Sequence, residues 1–426
     1  MTFREDTLPI EAPEAGPSFR GALANRDFLL LFIGQVTAGI GNGAIQLALP
    51  WLVLQLTGSA FQLGFAYFFQ FLPMLLFGVL GGVLVDRWDR RLTIVVVDVI
   101  RGVAFLSVGA IYYLGALTVE HIYAVIFLES TLANFFNPAR AALMPNLVSP
   151  ESLRPANSLM EITRHIGFLI APPAGGVLVA ILGPAALFLI DGVAFLISSI
   201  TVFLIRWRPP IREPVVRLAQ GWRASADNVA KQTLDGFRTI GRSRLLQVAL
   251  ILGLSLNLIV APIQVLMPLF VLEVKDSGPS YFALLVGGLL LGLISGSLAS
   301  PGVARRLGLG RMAIGAVFLL GVIICIAPWP PTPWPPVIAM VIAGAAIGSL
   351  NVAQTTMLQS STTDEERGRV SATYFTATLG VRPFSFLVMG ALASAIDIRF
   401  LFVALGVMAL TLGGFLYRLP EVREHH

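Results

Sequence analysis

Long apolar runs recur along almost the whole chain, and they constrain its fold more than any other feature. Each run has about 18 to 25 residues, the length of helix that crosses a hydrocarbon core about 30 Å thick. Backbone polar groups cannot stay unpaired in lipid, so each run is expected to be a helix. We predict an all-α polytopic membrane protein with twelve transmembrane helices. The predicted spans are 28–56, 61–85, 92–114, 119–144, 157–182, 184–206, 245–270, 281–301, 311–328, 336–360, 371–396 and 399–417.

Charge content excludes an ordinary soluble protein. Asp, Glu, Lys and Arg make up 12% of the residues, about half of the fraction typical of soluble domains. The chain also has no Walker-type phosphate loop, no H-E-x-x-H pattern and a single cysteine, Cys325. We therefore expect no enzyme activity, no cofactor, no metal site and no nucleic-acid partner.

Basic residues predict the orientation, because Lys and Arg beside membrane helices remain on the cytoplasmic side. With both termini inside, Lys275 and Arg399 fall on the outer side, and Arg101, Arg140, Arg164 and Arg382 lie within helices. The rest of the 29 basic residues lie on the inner side. This asymmetry predicts a multi-pass protein of the cytoplasmic (inner) membrane of a prokaryote with both termini cytoplasmic.

The spans divide into two sets of six around a polar stretch, residues 207–244. We predict a tail at 1–26, a bundle at 27–206, a linker at 207–244, a second bundle at 245–418 and a tail at 419–426. The linker either contains an amphipathic helix on the inner leaflet or is a solvated connection.

The two bundles resemble each other in sequence, which predicts pseudo-symmetric halves. Residues 49–55, LPWLVLQ, align with residues 267–273, MPLFVLE. The same offset aligns Gly78 with Gly296 and Arg87 with Arg305.

A charged loop between the second and third spans carries a family resemblance. The stretch GVLVDRWDRR at residues 82–91 resembles the G-x-x-x-D-R-x-G-R-R signature of the major facilitator superfamily, with Asp89 in place of the usual loop glycine. With NPARAALMPNLVSPESLRPANSL at residues 137–159, it is similar to the branch of siderophore and macrolide exporters that includes enterobactin exporters.

This resemblance implies the major facilitator fold and a conformational switch in the charged loop. The switch residues would be Gly82, Asp86, Arg87, Arg90 and Arg91. Asp86 would face the positive end of another helix while the arginines anchor the inner surface. The alternative is that these charges only fix the topology.

A second motif lies in the fifth span. Residues 167–176, GFLIAPPAGG, resemble the G-x-x-x-G-P-x-x-G-G pattern of exporters in this superfamily, with Ala171 in place of the second glycine. Gly167, Pro172, Gly175 and Gly176 are its matching positions. Small residues allow close helix packing and proline loosens the backbone, so the segment is expected to bend or to form a tight contact between the halves.

Charges inside the spans are candidates for proton coupling, since each costs about 2.5 to 3.5 kcal/mol at the bilayer centre on insertion scales. Glu129, near the middle of the fourth span, is the first candidate, followed by Asp191 and Asp98. The alternative for Glu129 is a neutral acid hydrogen-bonded to a neighbouring helix, and for Asp191 a structural or interfacial acid is favoured. Asp98 and Arg101 are three residues apart, so a structural pair is favoured for Asp98.

The resemblance also implies that the first, fourth, seventh and tenth helices line a central cavity. The candidate cavity residues are Asn42, Gln46, Asn257, Gln264 and Arg382. Hydrogen bonding between helices is the alternative for the uncharged residues in this set.

We therefore predict a secondary active transporter that exports small amphipathic organic molecules such as drugs, macrolides or siderophores by proton-coupled alternating access. A carrier of lysophospholipids or nutrients with the same fold is the alternative, and a membrane-embedded enzyme is a remote one. The expected partners are a small-molecule substrate, protons and the lipid bilayer, and we expect a monomer.

Overall fold

The computed structural model describes residues 19–85, 88–207 and 222–420, and these residues form helices joined by short links. The helices are α1 Phe19–Ala24, α2 Arg26–Thr57, α3 Ala60–Val85, α4 Arg90–Tyr113, α5 Val119–Leu143, α6 Leu153–His165, α7 Ala171–Leu182, α8 Pro184–Phe203, α9 Trp222–Arg242, α10 Arg244–Ile259, α11 Ile263–Leu269, α12 Pro279–Leu307, α13 Leu309–Ile326, α14 Trp334–Ser360, α15 Asp364–Gly380, α16 Arg382–Ala393 and α17 Ile398–Tyr417. The predicted all-α membrane fold is confirmed.

Eleven helical segments in the described part of the chain are long and apolar enough to cross a membrane. They correspond to eleven of the twelve predicted spans. The remaining predicted span, 119–144, forms the 25-residue helix α5. This helix is long enough to cross a bilayer, but Glu129, Asn134 and Asn137 lower its hydropathy.

Three predicted spans are interrupted in the structure. Residues 166–170 form a π-helical turn between α6 and α7, directly before Pro172 and Pro173. Proline lacks the N–H that would continue the α-helical bonds, which accounts for the irregular turn at this point. The seventh span is divided into α10 and α11, and the eleventh into α15 and α16.

Helices from the two sets of six contact each other at the end of the bundle opposite the termini. Gly64 of α3 packs against Gly390 of α16, where a Cβ on Gly64 would lie 2.8 Å from the Gly390 Cα. Gly176 of α7 packs in the same way against Ala283 of α12. Tyr67 of α3 and Phe386 of α16 stack one turn from the first of these contacts, with ring centroids 5.1 Å apart.

The described part of the linker contains α9, which packs against α15. Thr373 of α15 donates a hydrogen bond to the Thr233 carbonyl over 3.4 Å, and Gly236 lies directly beside the Thr373 side chain. Ile240 is buried while Leu234 is half exposed, so this part of the helix has an inner and an outer face. Residues 1–18, 208–221 and 421–426 lie outside the described residues, and the domain boundaries stay a prediction.

Candidate substrate cavity and buried charge cluster

A cavity of about 320 Å³ lies among the first six membrane helices. It extends from Gln46, near the middle of α2, to Gln35 and to Arg140 of α5, toward the end that carries the termini. Asn42 and Gln46, two of the predicted cavity residues, line it together with Glu129. Its wall therefore mixes amide and charged groups.

An ion pair between Arg101 of α4 and Glu129 of α5 forms part of the cavity wall. The Arg101 guanidinium donates a hydrogen bond to Glu129 Oε1. Phe195 of α8 lies beneath the guanidinium, with its ring centroid 4.3 Å from the central carbon. Both residues line the cavity, and the glutamate side chain, 14% exposed, is more accessible than the arginine side chain, 5% exposed.

Asp98 lies behind this pair and is fully buried. Its Oδ2 accepts a hydrogen bond from Ser198 of α8 over 2.7 Å, and its Oδ1 is 3.9 Å from the Arg101 Nη1. Arg101 and Asp98 are thus close, as the three-residue spacing predicts. The shorter contact of Arg101 is nevertheless with Glu129, on another helix.

Asp191 of α8 is also fully buried, and neither carboxylate oxygen has a hydrogen-bond partner in the described part of the chain. It packs against α2 at Gly41, where an added Cβ would overlap Asp191 Oδ1. The acid therefore occupies space that is open only because residue 41 is a glycine.

Two further arginines line the cavity, and they have different partners. Arg164 donates to Glu161 Oε2 through Nε over 2.9 Å and through Nη2 over 2.6 Å. Arg140 donates from Nη1 to the neutral side-chain oxygen of Gln35 over 3.3 Å. Arg140 forms no ion pair with an acid among the described residues.

The three glycines of the motif at residues 167–176 have close neighbours on other helices. A Cβ added to Gly167 would lie 2.7 Å from the Gly39 carbonyl oxygen. A Cβ added to Gly175 would lie 2.7 Å from the Ala44 Cα. Gly176, in contrast, packs against Ala283 in the other half of the molecule. Pro172 is buried between these positions.

The charged loop caps helices. Asp89 Oδ1 accepts a hydrogen bond from the Leu92 N–H over 3.1 Å and thereby caps the start of α4. Arg90 donates to the Ala142 carbonyl over 3.0 Å, and Arg91 to the Val202 carbonyl over 3.2 Å. These carbonyls lie at the last turns of α5 and α8, where a cation is favourable. Gly82 lies within α3, and Asp86 and Arg87 lie outside the described residues.

The remaining predicted cavity residues do not line this cavity. Asn257 of α10 donates to the Gly253 carbonyl of its own helix over 2.8 Å, and Gln264 is exposed on α11. The Arg382 guanidinium lies over the Phe71 ring at 5.1 Å, and its Nε has no partner in the described part of the chain. Their roles as cavity residues stay predictions.

An aromatic cluster at the contact between the halves was not predicted as a functional feature. Phe68 of α3 meets Phe384 of α16 with ring centroids 6.0 Å apart, and Phe71 meets Phe386 at 5.1 Å. From the sequence, Phe68, Phe69 and Phe71 either line a hydrophobic substrate path or face lipid, and lipid exposure is the more common placement of such residues. A pattern of aromatic residues on one helix carries no information about which partner helix covers it.

Comparison with known proteins shows the family to which the chain belongs. The model of the Major Facilitator Superfamily matches residues 31–381. The multidrug efflux pump Tap of Mycolicibacterium fortuitum is 26% identical over 409 residues, covering 93% of this chain and 96% of Tap. Macrolide efflux protein A of Streptococcus pyogenes is 24% identical over 408 residues, covering 93% and 96%.

Solved transporter structures share the fold. The nucleoside transporter NupG superposes with a TM-score of 0.71 at 13% identity, covering 94% of this chain and all of NupG. A bacterial homologue of the human lysosomal transporter Spinster, inward-facing and unoccupied, superposes with a TM-score of 0.66 at 16% identity, covering 92% and 95%. At sequence identities of 13% and 16%, this similarity shows a shared fold and not a shared substrate.

Proposed function

Because the chain belongs to the Major Facilitator Superfamily, whose members are membrane transporters, we propose that it exports small amphipathic organic molecules by proton-coupled alternating access. The observation that carries the proposal is the Arg101–Glu129 pair in the cavity wall. A buried ion pair beside a cavity joins a titratable group to the space that a substrate would occupy. Export is supported by the efflux activity named for its relatives Tap and macrolide efflux protein A.

Alternating access is supported by where the halves touch. The close contacts of Gly64 with Gly390 and of Gly176 with Ala283 lie at the end opposite the termini, while the cavity extends toward the end that carries them. With both termini cytoplasmic, as the basic residues predict, this arrangement is the inward-open state. Closing the inner end and separating the outer contacts would expose the cavity to the other side.

Coupling in this proposal is a competition for Arg101. While Glu129 is ionised, it holds the guanidinium; once Glu129 takes up a proton, that bond weakens and Asp98, 3.9 Å away, becomes the stronger partner. The movement of Arg101 changes the shape and charge of the cavity wall. Substrate binding and proton binding are thereby linked without direct contact between them.

Inverted membrane vesicles with an imposed proton gradient test this proposal. Dyes, macrolides and lysolipids are screened first, and the best-transported compound is then measured with Glu129→Gln. We expect proton-driven accumulation to fall by at least about tenfold, with downhill exchange retained because the amide preserves the shape of the side chain. Full uphill transport by Glu129→Gln would exclude Glu129 as the proton carrier.

Glu161→Gln is the matched control. Glu161 belongs to the same bundle and also pairs with an arginine, but its side chain is 58% exposed and the pair lies within one helix. Exposed pairs of this kind contribute little energy, so transport by Glu161→Gln is expected to stay close to that of the unmodified protein. An equal loss in both variants would indicate general damage to the cavity.

A further inference from the structure

Electrostatic pairing within the cavity differs from one arginine to the next, and the difference points to the kind of substrate. Arg101 is bound to Glu129, and Arg164 is bound to Glu161 through two nitrogen atoms. Arg140 has the neutral amide oxygen of Gln35 as its hydrogen-bond partner. Arg140 is therefore the cavity arginine that has no ion-pair partner among the described residues.

The charge of the acid that lines the cavity is already balanced. Glu129 Oε1 accepts a hydrogen bond from Arg101 and the two side chains form an ion pair. A protonated amine entering the cavity would compete with Arg101 for Glu129, and it would also approach the positive charge of Arg140. An acidic group meets neither obstacle.

We propose that the cavity recognises amphiphiles that carry an acidic group, a carboxylate or phosphate, and that Arg140 binds this group. A guanidinium can bind two oxygens of such an anion at once, and this geometry favours it over other cations. This inference rests on the proposed function, because it names the substrate class of the same cavity.

The rest of the cavity wall fits the other end of such a molecule. Phe136 of α5 and Phe168 of the π-helical turn both line the cavity, and they supply aromatic surface for a ring system. Asn42 and Asn137 supply neutral hydrogen-bonding groups in the same wall. The arrangement of one arginine without an ion-pair partner, amides and aromatic rings matches an aromatic acid.

Two dyes that differ at one group provide the test. Rhodamine 110 has a free carboxylate, and rhodamine 123 is its methyl ester with the same ring system. Equilibrium binding of each dye to the purified full-length protein is measured by fluorescence polarisation in detergent. We expect rhodamine 110 to bind at least about tenfold more tightly, the range of a charge-assisted hydrogen bond.

Variants of Arg140 connect this preference to the residue. In Arg140→Gln the affinity for rhodamine 110 is expected to fall to that of rhodamine 123, while the affinity for rhodamine 123 stays equal or rises. Arg140→Lys keeps the charge without the planar fork and is expected to restore part of the preference. In Arg238→Gln, a control whose arginine pairs with Asp235 on its own helix outside the cavity, the preference is expected to remain.

Several results would overturn the proposal. The proposal would be wrong if the unmodified protein bound the two dyes equally or bound neither. It would also be wrong if Arg140→Gln lowered the affinity for both dyes by the same factor. Loss of both dyes in Arg140→Gln but not in Arg140→Lys would assign Arg140 a role in the structure of the cavity instead. Binding needs no proton gradient, so a failure here is distinct from a failure of Glu129→Gln to alter transport.

Discussion

Buried charges in the described part of the chain differ in how they are stabilised, and Asp191 is the buried acid with the fewest polar contacts. Arg101 has Glu129 as a partner and Asp98 has Ser198, whereas the Asp191 carboxylate has no hydrogen-bond partner in the described part of the chain. Burying a polar group without a partner costs about 1–3 kcal/mol. The space for this side chain exists because residue 41 lacks a side chain.

Gly41→Ala is therefore expected to destabilise the protein by about 1–3 kcal/mol, the usual cost of overpacking. The added Cβ would overlap Asp191 Oδ1 and would also lie 2.9 Å from Cγ. Thermal unfolding of the purified protein in detergent measures the effect. Adding Asp191→Ala removes the atoms that clash, and we expect it to recover part of the lost stability.

Gly39→Ala is the matched control on the same helix. A Cβ on Gly39 would lie 3.8 Å from the nearest atoms, which belong to Thr163, and this is an ordinary contact. Its effect is expected to be within about 0.5 kcal/mol, as for substitutions away from special features. Equal destabilisation by Gly39→Ala and Gly41→Ala would contradict the role of Asp191.

Asp86→Asn tests the switch predicted from the charged loop. Charge at a helix end contributes about 0.3–2 kcal/mol, so we expect transport to slow by about twofold to thirtyfold with substrate affinity unchanged. Initial rates in reconstituted vesicles, measured beside equilibrium binding, separate the two effects. An unchanged rate would reduce the loop to its topological role. Ala304→Asp, at the corresponding position of the second half, is expected to have little effect.

Which residues carry charge in the membrane is evident from the sequence, but their partners are not. Glu129 stands out because it lies in the middle of an apolar run. Its pairing with Arg101 joins α4 to α5, and contacts between helices depend on rotation and packing that periodicity does not specify. The three-residue spacing of Asp98 and Arg101 favours a local pair, while the structure brings a closer partner from another helix.

Helices as units were well predicted by hydropathy, and their irregularities were not. Runs of apolar residues predict every membrane helix, including α5, whose polar residues line the cavity. The π-helical turn at 166–170 and the division between α10 and α11 leave the hydropathy almost unchanged. Both lie next to proline residues, Pro172 and Pro262, so local sequence marks where a helix is weakened without specifying the resulting conformation.

The motif at residues 167–176, in the fifth membrane span, contains two adjacent glycines with different neighbours. Gly175 packs against Ala44 within the first half, and Gly176 packs against Ala283 across the halves. Gly176→Leu is expected to separate the halves at the outer end and to shift the protein away from the inward-open state, because the added side chain cannot fit against Ala283. Gly175→Leu is expected to lower the stability of the first half.

Cysteine accessibility distinguishes these two outcomes. Tyr67 is 6% exposed and stacks on Phe386. In a variant whose Cys325 is replaced by serine, Tyr67→Cys places a single cysteine at the outer end of the protein. Labelling of this cysteine from the outer side is expected to rise by at least about tenfold with Gly176→Leu. If Gly175→Leu raised labelling equally without loss of thermal stability, the assignment of the two glycines would be wrong.

At the scale of the whole molecule, the contacts between the halves are built from small and aromatic residues rather than from ion pairs. Gly64 with Gly390 and Gly176 with Ala283 allow close approach, and Tyr67 stacks on Phe386 one turn from Gly64 and Gly390. Such contacts have few polar groups to satisfy when they separate. Charged groups instead cap helices at the end that carries the termini and form pairs inside the first half, so the two ends of the described structure use different chemistry.

A crosslink across the outer contact is expected to stop transport by holding this arrangement. Phe68 and Phe384 lie on α3 and α16 with ring centroids 6.0 Å apart, so Phe68→Cys with Phe384→Cys, in a Cys325→Ser background, should react with a short bis-methanethiosulfonate linker. Transport is expected to fall by at least about tenfold and to return after reduction, while dye binding from the inner side persists. Each single cysteine variant treated with the linker is the control. Transport that continues in the crosslinked protein would show that the outer contact does not need to open.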